Sequence, residues 1–106
     1  MNEKDMVKFL RWFTGYNVIE KNIYGGEDHN ESFEVKQIAY KYDTYVTGFN
    51  YHYANEINKL VDFIEWFIGR YEILNRQIYN IENGDLAQID TIVDIFDREK
   101  YNEINR

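Results

Sequence analysis

The chain has no cysteine and no proline, only two histidines, and a single serine, Ser32. Without cysteine there is no disulfide framework, no thiolate metal site and no thiol nucleophile, so stability must come from packing. His29 and His52 fall in no His/carboxylate spacing that prefigures a metal site. Both read as surface or joint residues. Ser32 has no general base nearby in sequence, and the six glycines form no phosphate-binding loop. Neither a cofactor nor a metal is expected.

Long apolar runs are also missing. The start, Met1 to Asp5, carries charge of both signs and no hydrophobic stretch follows it, which argues against a signal peptide or a membrane span. A cytoplasmic location is expected, in a bacterial cell or a phage-infected host. Basic residues are scarce, 12 against 19 acidic ones, for a net charge of -7. Such a field repels phosphate backbones and anionic lipid, so neither nucleic acid nor membrane is expected as a direct partner.

What the chain does have is aromatic side chains, 18% of its 106 residues. That share predicts one core built largely of Phe, Tyr and Trp, in one domain spanning residues 1–106. No internal repeat or low-complexity stretch stands out. Abundant Asn, Ile, Lys and Tyr suit an AT-rich coding sequence, as in low-GC bacteria and their phages.

Asn2 is placed to cap a helix over 3–14, with Met6, Phe9, Leu10 and Phe13 on one face and Gly15 as the stop. Trp12 lies off that stripe and reads as a core-edge aromatic. Residues 16–30 choose no face and end in an acidic turn, which predicts a loop with a short strand or hairpin near 17–24. From Phe33 to Phe49, Val35, Ile38, Ala39, Tyr42, Tyr45, Val46 and Phe49 follow a three-four rhythm and predict a helix, against the strand preference of the Tyr, Val and Thr. Ile57 to Ile78 keep the same rhythm through Tyr71 and Leu74, predicting one long helix over 55–79. Asp85 and Gln88 have capping-box spacing for a last helix that packs through Leu86, Ile89, Ile92, Val93 and Phe96. The expected fold is mainly α, a small bundle of about four helices; the alternative is α+β, should 33–49 be extended.

The acidic residues are the one polar set with spatial order. Asp90, Asp94 and Asp97 share a helical stripe, and no basic residue stands between Arg76 and Arg98 to neutralise it. Glu27, Asp28, Glu31 and Glu34 form a second cluster between Lys21 and Lys36. On priors, charge runs of this kind are solvated faces that maintain solubility. A sharper reading is phosphate mimicry, since carboxylates four residues apart on a helix lie about 6 Å apart along its axis.

In size, acidity, aromatic content and lack of cysteine, the chain resembles phage-encoded anti-defence inhibitors of the anti-restriction and anti-CRISPR kind. The resemblance implies a non-catalytic protein that docks on and inhibits a basic, nucleic-acid-handling partner. On that reading Asp90, Asp94, Asp97, Glu27, Asp28, Glu31 and Glu34 contact the partner, with Tyr51 and Tyr53 as aromatic anchors. An enzyme alternative is a Mg-dependent pyrophosphohydrolase of the MazG type. It would use Asp62 and Glu65 with Asp94 and Asp97 as paired carboxylates. A third reading is a self-associating interaction protein that uses the aromatic run Tyr40, Tyr42, Tyr45, Phe49, Tyr51 and Tyr53.

Overall fold

The structure, a computed structural model, describes residues 2–48 and 53–104, with side chains as far as Lys100. Four helices, α1 (Glu3–Phe13), α2 (Val35–Thr47), α3 (Ala54–Ile68) and α4 (Ile89–Ile104), accompany six short strands. The strands are β1 (Asn17–Ile19), β2 (Asn22–Gly25), β3 (Glu31–Phe33), β4 (Tyr71–Leu74), β5 (Gln77–Asn80) and β6 (Leu86–Ala87). They form one antiparallel sheet in the order β3-β2-β1-β4-β5-β6.

The chain is therefore α+β, which corrects the expectation of a mainly α bundle. The overturned element is the long helix over 55–79. Its helical part ends at Ile68, where the Gly69 N–H bonds the Glu65 carbonyl. Tyr71 and Ile73 then alternate inward with Glu72 and Leu74 outward, a period of two. Asn75 and Arg76, both at positive φ, turn the chain back into β5. Leu74, a core position on the helical reading, is an exposed hydrophobic. The spacing of Tyr71, Leu74 and Ile78 satisfies a helical rhythm by coincidence, because strand, two-residue turn and strand also bring apolar residues back every three or four positions.

Extended structure at 33–49 is not the source of the sheet. That segment is helical from Val35 to Thr47, burying Ile38, Ala39 and Tyr42, and Gly48 closes it in a left-handed C-cap at φ 75°. Around Asp85 the expected helix start is also corrected. Leu86 and Ala87 form β6, Asp85 lies in the turn before it with its N–H on Asn83 Oδ1, and α4 opens at Ile89. Leu86 is 57% exposed and is not a core residue.

The chain also contains a repeat, contrary to the expectation of none. Phe9, Leu10, Trp12, Phe13 and Gly15 recur 54 positions on as Phe63, Ile64, Trp66, Phe67 and Gly69. Arg70 is then one extra residue, so Tyr16, Val18, Ile23 and Tyr24 match Tyr71, Ile73, Ile78 and Tyr79. Past a loop shorter by one residue, the spacing returns to 54 and Ile38, Ala39 and Tyr42 match Ile92, Val93 and Phe96. Each half is one helix, three strands and one helix. Both first hairpins turn through two residues at positive φ, Glu20 and Lys21 in one and Asn75 and Arg76 in the other.

The two units meet about a pseudo-two-fold axis marked by contacts between matching residues. Val18 pairs with Ile73 at the centre of the sheet. Phe9 meets Phe63 at 6.0 Å between ring centroids, and Phe13 meets Phe67 at 5.8 Å. Helices pack across units, α1 on α4 and α2 on α3. All four lie on one face of the sheet, which buries Val18, Ile23, Tyr71, Ile73 and Ile78, while the other face carries Ile19, Tyr24, Leu74 and Tyr79. Gly25 lies under two aromatic rings with no room for a side chain. A Cβ there would stand 2.7 Å from the Tyr16 ring and 2.9 Å from the Phe33 ring.

Candidate functional site

The α4 stripe is exposed as a unit. Ile92, Val93 and Phe96 turn into the core, which leaves Asp90, Asp94 and Asp97 on the solvent side. Asp94 Oδ2 accepts from Arg98 Nη2 at 2.8 Å, one helical turn on. The packing of α1 against α4 adds a carboxylate from the far end of the chain, Glu3 in the first turn of α1. A hydrogen bond with Asp97 raises the Glu3 carboxyl above the usual range, with repulsion from Asp97, some desolvation and repulsion from Asp94 adding to it. Sequence reasoning missed Glu3, because no periodicity links residues more than ninety positions apart.

The second acidic cluster does not join the first. Glu27 and Asp28 lie in the β2–β3 turn, Glu31 on β3, and Glu34 just before α2, all exposed. The Glu34 N–H donates to Gln37 Oε1 at 2.7 Å, which fixes the start of α2. β3 is one edge of the sheet and β6, which leads into Asp90, is the other. Tyr53, 67% exposed, stands at the N-cap of α3. Tyr51 and His52 lie outside the described residues. His29 is exposed in the β2–β3 turn.

The carboxylates of the pyrophosphohydrolase reading are separated in the same way. Asp62 and Glu65 are exposed on α3, which packs on α2, whereas Asp94 and Asp97 sit on α4, which packs on α1. Among the described residues, no three His, Asp or Glu side chains gather in a geometry that could hold a metal ion. No helix among them is long and apolar enough to cross a membrane.

Two tryptophans occupy matching places in the two units, and one of them, Trp66, is held by a hydrogen bond to an ion-paired carboxylate. In the second unit the Glu99 carboxylate accepts from Trp66 Nε1 at 2.6 Å and from Arg70 Nη1 at 2.8 Å, while the Arg70 guanidinium lies 4.9 Å from the Trp66 ring centroid. In the first unit Trp12 has matching ring neighbours. It lies 5.2 Å from Tyr42 at 55°, as Trp66 lies 5.0 Å from Phe96 at 67°. Tyr45, however, stands where Glu99 does in the repeat. Trp12 borders an open groove of about 660 Å³ lined also by Lys8, Arg11, Tyr42, Tyr45 and Val46. The chain matches no family model, no curated protein and no solved structure.

Proposed function

We propose that this chain is a non-catalytic binding protein that presents its α1/α4 acidic face to a basic, nucleic-acid-handling protein and blocks it, in the manner of a phage anti-defence inhibitor. Its site of action on this reading is the cytoplasm of a bacterial cell. The observation that carries the reading is the meeting of Glu3 with Asp94 and Asp97 from two different helices. The hydrogen bond with Asp97 first, and repulsion from Asp97 and Asp94 after it, make Glu3 retain its proton more strongly. A cationic partner would be attracted to this exposed row of carboxylates and could compete with Arg98 for Asp94. Asp90 extends the row by one turn, about 6 Å, which suits a groove shaped for phosphates. The cluster at Glu27, Asp28, Glu31 and Glu34 lies at the opposite edge of the sheet and is no part of this face.

The test is capture of partners from a nuclease-treated bacterial lysate by the wild type and by a Glu3→Gln, Asp94→Asn, Asp97→Asn variant. These exposed positions tolerate neutral isosteres, so folding is expected to survive. A basic nucleic-acid enzyme should bind the wild type, release with rising salt, and bind the variant about tenfold more weakly at low salt. Equal capture by both proteins, or binding indifferent to salt, would sink the reading.

A further inference from the structure

The repeat offers an internal control for the groove beside Trp12. In the second unit the indole N–H is satisfied by Glu99, whose charge is balanced by Arg70. In the first unit no described residue accepts from Trp12 Nε1, because Tyr45 replaces Glu99. The charges around the two tryptophans are also inverted. Lys8 and Arg11 line the first groove, whereas the matching positions in the second unit are Asp62 and Glu65. Neither Lys8 nor Arg11 is in an ion pair among the described residues, on a chain with an excess of acid. The first unit thus keeps the indole donor and adds two cations of its own, but lacks the carboxylate.

We propose that this groove binds an acidic segment of a partner protein, whose Asp or Glu carboxylate takes the Trp12 indole hydrogen bond that Glu99 takes from Trp66. Lys8 and Arg11 neutralise the incoming charge, and Tyr42, Tyr45 and Val46 pack its neighbouring side chains. A protein segment suits the site better than a small acid does, because the groove is open along its length and cannot enclose most of a free ligand's surface. Past Tyr42 and Val46 it adjoins a second depression lined by Asp5, Asp43, Glu56 and Leu60, which gives room for an extended chain but confines the segment's acidic residues to the Lys8/Arg11 end. Trp, Tyr and Arg are also the residues that most often dominate binding at protein interfaces. This inference concerns the first unit and does not depend on the α4 acidic face.

The experiment follows the two indole N–H signals of the full chain by NMR, with Trp66 as the internal reference. The probe is capped hexaglutamate at low salt, with capped hexalysine and sodium acetate as comparison arms. Hexaglutamate should shift the Trp12 signal towards that of Trp66 and leave Trp66 in place. A Lys8→Ala, Arg11→Ala variant, changed only at exposed positions, should bind it at least about tenfold more weakly. Tyr45→Glu builds the missing carboxylate into the first unit; it should move the Trp12 signal without any peptide and block the peptide's effect. No Trp12 shift with about 1 mM hexaglutamate, or an undiminished shift in Tyr45→Glu, would overturn the proposal. An equal response to acetate at matched carboxylate concentration would overturn the choice of a protein segment.

Discussion

Phe9 and Phe63 carry more of this fold than their number suggests. Each is fully buried, they touch across the pseudo-two-fold axis, and each also meets the second helix of its own unit, Phe9 through Tyr42 at 5.0 Å and Phe63 through Phe96 at 4.8 Å. Phe9→Ala should therefore cost about 3–5 kcal/mol, read as a lower urea midpoint with the slope unchanged. Three tyrosines predict an alkaline limit. Burial is the first cause that raises the Tyr16, Tyr42 and Tyr71 hydroxyls above their ordinary value. The folded state then holds protons that the unfolded state releases, so their stability contribution is complete below a pH of about 10 and falls as pH rises beyond it. Urea midpoints at pH 9 and pH 11 check this, and equal values would contradict it. Glu3 has the same sign at acid pH, where raising pH through the upper carboxylate range should weaken the fold near α1.

Among the elements, the first hairpin of each unit is the place where local chemistry and tertiary demand disagree. A two-residue turn with both residues at positive φ favours Asn-Gly, yet the chain uses Glu20-Lys21 and Asn75-Arg76. A side chain in the left-handed region costs roughly 1 kcal/mol, partly offset by glycine's greater freedom when unfolded. Arg76→Gly, which completes an Asn-Gly turn, should stabilise the protein by up to about 1 kcal/mol in chemical denaturation. Destabilisation would mean that Arg76 makes an interaction stronger than its backbone strain. Asn75-Arg76 carries no hairpin signal of the Asn-Gly kind, so the local sequence does not mark the turn between β4 and β5. The edge strands β3 and β6 are only three and two residues long, which limits strand-to-strand aggregation.

At the scale of the whole molecule, neither unit is self-sufficient. β1 needs β4 beside it, α1 rests on α4, and α3 rests on α2, so each half exposes its packing surface when alone. A fragment of residues 1–53 should be largely unfolded as a monomer, and equimolar mixing with residues 54–106 should restore helical circular dichroism and the near-ultraviolet signal of the packed aromatics. A monomeric, cooperatively folded 1–53 fragment would contradict the cross-packed arrangement. The units share a scaffold but have diverged in charge. The second holds the acidic stripe and a tryptophan already paired with Glu99, while the first holds Lys8 and Arg11 beside an indole that no described residue accepts from.

The sequence by itself determined the features that depend on neighbours along the chain: an aromatic core, the Asn2 cap, the helical faces of α1 and α2, a break after Gly15, and the alignment of Asp90, Asp94 and Asp97 in one helical stripe, whose exposure the tertiary structure decided. The repeat is written there too, in Phe9-Leu10-x-Trp12-Phe13-x-Gly15 and Phe63-Ile64-x-Trp66-Phe67-x-Gly69, but inserted Arg70 changes the spacing from 54 to 55 through the strands before a shorter loop restores it, which masks a single period. Only the tertiary structure decided that residues 71–80 leave the helical path. A three-four rhythm over so short a segment fits a helix and a hairpin equally, and pairing with β1 settles the choice. Only it could bring Glu3 to Asp97, or seat Glu99 on Trp66 and leave Trp12 without a carboxylate among the described residues. Those contacts join residues on different helices, and side-chain hydrogen bonds and charge repulsion act through space, with no record in local periodicity.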